Sequence, residues 1–132
     1  MKIVIQASLA MLFSISTFAV EHGVESVHTV FVKGNNRVAV SLRKEFIKRF
    51  EWSKRKGMES CFKLVNKAKV ADAVLEVTQD SNNRRATANL TSKSGEWLWS
   101  DEYGTDGTEI YPVAEGLWMK LAKAARCKGG GR

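Results

Sequence analysis

The chain has 132 residues, 44% of them hydrophobic and 27% charged, with a formal net charge of +7. This is the length and composition expected of one globular domain. Two histidines and two cysteines are too few for a clustered metal site, so we expect neither a metal nor a cofactor.

Residues 1–19 predict a secretory signal peptide. Lys2 gives a positive start, residues 3–13 are mostly apolar, and Thr17 and Ala19 occupy the −3 and −1 positions of a cleavage site. A membrane anchor is the less favoured alternative, because polar residues interrupt a segment shorter than the ~20 residues needed to span a bilayer. We therefore expect a periplasmic or secreted protein that keeps no transmembrane segment after cleavage.

The first predicted unit after this segment is a strand followed by a helix. Residues 27–33 alternate apolar and polar side chains, as in a half-buried strand. Gly34 and the two asparagines after it end the strand and offer a helix N-cap. From residue 37 to about residue 52 the apolar residues recur with helical spacing. The apolar stripe consists of Ala39, Leu42, Phe46 and Phe50.

A meander of three strands follows this helix. Residues 61–65 predict a short strand, and residues 67–71 predict a brief connection. Residues 73–79 and 85–91 then alternate apolar and polar side chains, and a third strand begins at residue 96. Turn-forming residues separate these three strands, so we expect them to pair antiparallel.

Two tryptophans in the last strand of the meander can be placed by the length of the preceding turn. A four-residue turn, 92–95, sets Leu90 opposite Trp97 and Ala88 opposite Trp99. Both indoles would then fill the core beside smaller partners, which is the register we predict. A three-residue turn would place both indoles on the solvent face.

A closing helix completes the domain. Residues 109–126 carry an apolar stripe, and Pro112 is tolerated because it falls in the first turn. The element order β-α-β-β-β-β-α predicts an α+β, two-layer sandwich over residues 20–127, with a mixed sheet of about five strands and both helices on one face. The first strand–helix–strand crossing is expected to be right-handed. Residues 128–132 are predicted to be a disordered tail.

The two cysteines predict one disulfide. Cys61 begins a strand that we expect inside the sheet, and Cys127 ends the last helix. An exported chain provides the oxidising environment that such a bond requires. Closing a loop of this size stabilises a fold by roughly 4 kcal/mol on the chain-entropy account.

The order of the segments "CFKLV", "ADAVLEV" and "ATANLTSKSGEWLWS", between an opening strand and a closing amphipathic helix, resembles a group of small bacterial envelope domains. The group includes the periplasmic domain of the curli-export lipoprotein, the amino-terminal domain of the Tol–Pal translocation protein and lipoprotein activators of peptidoglycan synthases. The resemblance covers most of residues 27–126 and implies a role in binding and assembly without catalytic residues. This chain differs from many of these domains because it has no lipid-anchor cysteine.

Charge is unevenly distributed along the chain. Residues 33–69 hold 12 lysines and arginines against 3 acidic residues, whereas residues 70–119 hold 3 against 9. We interpret the basic side of the first helix and the loop after it as a surface for an anionic partner. Its predicted members are Arg43, Lys44, Lys48, Arg49, Lys54, Arg55 and Lys56. A solvated helix face that serves only solubility is the alternative interpretation.

These features favour a non-catalytic envelope module that acts through a protein partner. The alternative is an anionic-surface binder that uses the basic helix and loop on lipid head groups or lipopolysaccharide. Nucleic acid is not expected, because the chain is predicted to be exported and no exposed aromatic platform accompanies the basic residues. An enzyme is not expected either: the acidic cluster Asp101, Glu102, Asp106 and Glu109 is typical of a solvated loop before a helix.

Overall fold

The computed structural model describes residues 23–80, 84–106 and 109–127. The predicted signal peptide (1–19) and the predicted tail (128–132) lie outside the described residues. Residues 81–83, which belong to a predicted turn, and residues 107–108 lie outside them as well.

The described residues form five strands, two α-helices and two single turns of 3-10 helix. The strands and helices are β1 (Thr29–Lys33), α1 (Arg37–Arg55), β2 (Lys63–Leu64), β3 (Ala73–Gln79), β4 (Arg85–Ser92), β5 (Trp97–Gly104) and α2 (Tyr111–Ala124). The sheet order is β2-β1-β3-β4-β5. Strand β1 runs parallel to β2 and β3, while β4 runs antiparallel to both β3 and β5. The predicted α+β fold with a mixed five-stranded sheet is therefore confirmed.

Both helices cover one face of the sheet. Alternation along β3 buries Ala73, Leu75 and Val77 and leaves the residues between them on the opposite face. The predicted stripe of α1 is buried at three of its four positions, and Phe50 is half-buried. Helix α2 buries Val113, Ala114, Leu117, Trp118, Leu121 and Ala122. Burying a large apolar side chain stabilises a fold by about 1.5–3 kcal/mol, so this layer supplies most of the driving force.

The start of α1 is fixed by the residues that end β1. The side chain of Asn36 accepts a hydrogen bond from the amide of Ala39 at 2.9 Å, which confirms the predicted N-cap. Its amide nitrogen donates to the carbonyl of Val77 at 2.8 Å and so ties the helix start to β3. Gly34 has a φ of +140°, and a Cβ there would lie 2.9 Å from the same carbonyl oxygen. A side chain at this position would therefore disturb the passage from sheet to helix.

The predicted register of β5 is wrong because the strand contains a β-bulge. Trp99 lies opposite Leu90, and Trp97 lies opposite Thr91. Leu98 is the extra residue between them, so the alternation of faces changes at that point. Turn length alone could not reveal this, because a bulge is a property of the paired strands.

The bulge places the two indoles on opposite faces. Trp97 is 67% exposed on the face that the helices leave uncovered, contrary to the prediction that it fills the core. Trp99 is half-buried and packs against the core. The position opposite Ala88 belongs to Asp101 rather than to Trp99.

The predicted cysteine pair lies at disulfide distance, with Cα atoms 5.4 Å apart and bonded sulfurs. Cys61 precedes β2, which is an edge strand of two residues and not the inner strand that we predicted. The reason is that β3 pairs directly with β1, leaving β2 on the outer side of β1. The disulfide therefore ties the end of α2 to the edge of the sheet.

Candidate functional site

Helix α1 separates the seven predicted basic residues into different environments. It extends to Arg55, about three residues beyond its predicted end, so Lys54 and Arg55 lie on its last turn and not in a loop. Two of them, Arg43 and Arg49, are half-buried. The remaining five are exposed: Lys44, Lys48, Lys54, Arg55 and Lys56.

Arg43 belongs to the sheet and not to the outer side of the helix. Its Nε and Nη2 atoms donate to the carbonyl of Val32 at 3.3 and 3.1 Å, and Nη2 also donates to the carbonyl of Gly34. The last backbone hydrogen bond from the β2 side joins Val65 N to Val30 O, at 2.9 Å. The Val32 carbonyl lies beyond that point, so the guanidinium supplies the donor that a longer β2 would have provided.

Arg49 belongs to a charge cluster between the two helices. Its Nε lies 2.6 Å from Oε2 of Glu45, and its Nη2 lies 3.4 Å from Oε2 of Glu115. The guanidinium carbon sits 4.8 Å from the ring centroid of Trp118. Side-chain exposure is 12% for Arg49 and 1% for Glu45. These four residues, which we call the inner charge cluster, join α1 to α2, and Arg49 cannot meet an external partner without disrupting them.

Lys48 is exposed but interacts with α2. Its Nζ donates to the hydroxyl of Tyr111 at 2.6 Å and lies 5.2 Å from the centre of that ring. This hydrogen bond, helped by the negative charge of Glu45, raises the pKa of Lys48 above its usual value. Lys48 therefore remains protonated and contributes mainly to the contact between the helices.

The other four cations form what we call the outer basic surface: Lys44, Lys54, Arg55 and Lys56. None of them makes an ion pair with another residue in the part of the chain that the structure describes. The turn after the helix is fixed by Gly57, whose φ is +67°, and by a hydrogen bond from Met58 N to Ser53 O at 2.9 Å. This turn holds the last three cations at one end of α1.

Sequence reasoning missed the aliphatic residues beside this surface. Val40 and Ile47 are exposed on the outer side of α1, and Val70 is exposed on the 3-10 turn Ala68–Val70. The spacing of Val40 and Ile47 was an available signal, because residues seven apart lie on the same side of a helix. Ile47 and Val70 both line a cleft of about 520 Å³ between α1 and the edge of the sheet.

The predicted acidic cluster is partly paired and lies partly in a strand. Asp101 and Glu102 belong to β5, where Asp101 lies 3.4 Å from Lys120 and Glu102 forms an ion pair with Arg85. Within the described residues, no three histidine, cysteine or acidic side chains come together as a group that could hold a metal ion.

Neither α1 nor α2, nor any other helix in residues 23–80, 84–106 and 109–127, is long and apolar enough to cross a membrane. Comparison of the chain with protein-family models, with curated proteins and with solved structures finds no match.

Proposed function

We propose that this chain is a non-catalytic binding and assembly module of the cell envelope, which docks through α1 to an acidic protein partner. The observation that carries the proposal is the outer basic surface. Its four cations are exposed and have no ion-pair partner among the described residues, whereas Arg43 and Arg49 of the same helix are used within the fold.

The fold does not require these cations. Lys54 and Arg55 complement the dipole at the end of α1, which stabilises a helix by about 0.3–1 kcal/mol, but Lys44 is far from that end. Like charges on one helix repel one another and weaken it slightly. Grouped surface charges do, however, accelerate and orient association with a partner of opposite sign. Docking therefore explains their grouping better than stability does.

A protein partner is better supported than a lipid surface. Helices that bind in the membrane interface present large apolar side chains such as Trp, Phe and Leu beside their cations. The large apolar side chains that α1 exposes are Val40 and Ile47, and both are short aliphatics. The envelope location rests on the predicted signal peptide and on the resemblance to envelope domains, and the disulfide suits an oxidising compartment.

The test is a charge reversal restricted to the outer basic surface. The variant carries Lys44→Glu, Lys54→Glu, Arg55→Glu and Lys56→Glu. A matched control reverses four exposed cations outside α1: Lys63→Glu, Arg84→Glu, Lys93→Glu and Lys123→Glu. Circular dichroism should show that both variants fold, because surface substitutions usually change stability by less than about 0.5 kcal/mol.

Binding is measured to a polyglutamate peptide, to phosphatidylglycerol vesicles and to proteins cross-linked in an envelope extract, at low and at moderate salt. We expect the α1 variant to bind polyglutamate and the cross-linked partner about tenfold more weakly than the control, a difference of ~1.4 kcal/mol. Equal binding by the two variants would refute the proposal. Loss of vesicle binding alone would favour the lipid alternative.

A further inference from the structure

A cleft lies between α1 and the edge of the sheet, beside the outer basic surface. We call it the edge cleft and define it by Phe31, Arg43, Ile47, Leu64, Val65 and Val70. The cleft is open to solvent and has a volume of about 520 Å³, which is enough for one or two large side chains of a partner. Most of its walls are aliphatic or aromatic.

The edge cleft exists because β2 is short. Strand β1 continues to Lys33, whereas the chain leaves the β2 side after Val65 and turns through the 3-10 helix Ala68–Val70. On the exposed edge of β1, the carbonyl of Val32 accepts a hydrogen bond from the guanidinium of Arg43. The Val32 carbonyl therefore does not require a donor from a partner, and the apolar walls favour an apolar side chain.

Two aliphatic side chains on opposite walls remain largely in water. Ile47 of α1 is 51% exposed, and Val70 of the 3-10 turn is 59% exposed. Single exposed aliphatic residues are common on protein surfaces, but here two of them line the same concave site. A side chain of a partner placed between them would remove apolar surface from water on both sides.

Lysines lie beside the aliphatic walls of the cleft. Lys44 lies three residues before Ile47 and is therefore its neighbour on the helix surface, and Lys69 directly precedes Val70. Helix α1 has one exposed acidic residue, Glu51. Apolar walls between cations are complementary to an aliphatic side chain flanked by carboxylates.

We propose that the edge cleft receives an aliphatic side chain from an acidic segment of a protein partner, an inference that rests on the proposed function. The cations of the outer basic surface bind the carboxylates of that segment, and Ile47 and Val70 bind the aliphatic anchor between them. A second copy of this chain fits less well, because its net charge is +7 and two copies of the same sign repel each other.

Three peptides of equal length separate charge from apolar anchoring. The first has glutamates flanking two leucines, the second replaces the leucines with glutamines, and the third replaces the glutamates with glutamines. We expect wild-type protein to bind the first peptide about tenfold more tightly than the second, because leucine removes apolar surface from water in the cleft. We expect it to bind the third peptide more weakly than the first.

The decisive variant is Ile47→Gln with Val70→Gln. We expect it to bind the first and second peptides equally, since the anchor has lost its walls while every cation remains. The matched control is Val40→Gln with Met119→Gln, which alters two other exposed apolar residues that do not line the cleft. The control should keep the full preference for the leucine peptide.

The outcomes distinguish this inference from the proposed function. If the Ile47/Val70 variant keeps the preference for leucine, the edge cleft is not the anchor site, and the proposed function survives provided that charge reversal on α1 still weakens binding to both acidic peptides. If charge reversal leaves the second peptide bound as before, the proposed function itself fails. If the Ile47/Val70 variant loses phosphatidylglycerol vesicles but no peptide, the occupant is a lipid chain and the inference is overturned.

Discussion

Both sides of α1 carry positive charge, but the inner cations are bonded within the fold and the outer cations are exposed to solvent. On the inner side, Arg43 donates to β1 carbonyls, and Arg49 contacts two carboxylates and an indole. On the outer side, Lys44 and Lys54 extend into water. The guanidinium group is planar and weakly hydrated and offers several fixed donors, so it suits enclosed sites, whereas the ammonium of lysine is strongly hydrated. A count of basic residues on a helix therefore does not measure the surface that is available to a partner.

The sharpest test of this comparison is reversal of one charge on each side. Arg49→Glu should destabilise the protein by about 3–5 kcal/mol, because it leaves Glu45 buried beside a second negative charge. Arg55→Glu, six residues further along the helix, should change stability by less than about 0.5 kcal/mol. Urea denaturation of both variants measures the difference. Similar losses in the two variants would contradict the division of α1 into inner and outer sides.

The tryptophans of β5 extend the comparison to the sheet. Trp99→Ala should cost about 2 kcal/mol, less than a fully buried aromatic would, because the indole is only half-buried against the core. Trp97→Ala should cost less than about 0.5 kcal/mol, since its side chain is largely in water. Thermal unfolding of the two single variants provides the measurement, and the reverse order would show that the bulge at Leu98 is misplaced.

Asp72 is an intermediate case, an exposed residue whose carboxylate is used by the fold. Its Oδ2 accepts hydrogen bonds from the amides of His28 and Thr29 at 2.9 and 3.0 Å. These two hydrogen bonds lower the pKa of Asp72 below its usual value. Asp72→Asn should cost about 1 kcal/mol at neutral pH, since the site is open to solvent.

The pH dependence of this cost follows from the direction of the shift. A carboxylate with a lowered folded-state pKa stabilises the protein above its unfolded pKa of about 3.9, and this contribution is lost as pH falls through the folded-state pKa. The stability gap between wild type and Asp72→Asn should therefore narrow in acid. The test is to measure the urea midpoints of wild type and Asp72→Asn at neutral pH and at a pH below the folded-state pKa of Asp72. A stability difference that stays constant with pH would exclude the carboxylate as the cause of the difference.

The smallest effect is expected at the contact between Lys48 and Tyr111. Tyr111→Phe removes the hydroxyl that accepts from Lys48 and should cost no more than about 0.5 kcal/mol at this exposed site. The pKa of Lys48 should fall toward its usual value, because the principal cause of its increase is gone. Titration of the lysine side chains by NMR measures the shift. An unchanged pKa would mean that the hydroxyl is not the partner of Lys48 in solution.

The sequence was sufficient for the features that depend on local periodicity. Residues 73–79 and 85–91 alternate apolar and polar side chains, and both are strands that bury alternate residues. The apolar stripe of α1 and its Asn36 cap were also predictable, because a helix repeats every 3.6 residues and its first turn needs an acceptor for its free amides. The pairing of Cys61 with Cys127 was predictable from the number of cysteines and from the predicted signal peptide.

The errors arose where a residue's environment is made by distant parts of the chain. Helical periodicity places Arg49 on the outer side of α1, but its partners Glu115 and Trp118 lie on the second helix, which the periodicity of α1 does not report. The place of β2 at the edge depends on β3 pairing with β1, which strand propensity does not report. Gly116 is a further example. A Cβ at this position would lie 2.5 Å from the ring of Tyr103, so the close packing of α2 on β5 requires a glycine. The residues around Gly116 in the sequence do not indicate this requirement.

Arg43 also bears on how the protein behaves at high concentration. An open strand edge offers carbonyl groups to any other strand that approaches, and this is a common origin of aggregation. In the edge cleft the guanidinium of Arg43 donates to the carbonyls of Val32 and Gly34. These two carbonyls are therefore not available to another strand, even though no further strand covers this part of the edge. Substitution of Arg43 should therefore change the melting temperature less than it increases the tendency of separate copies to pair their strand edges and aggregate.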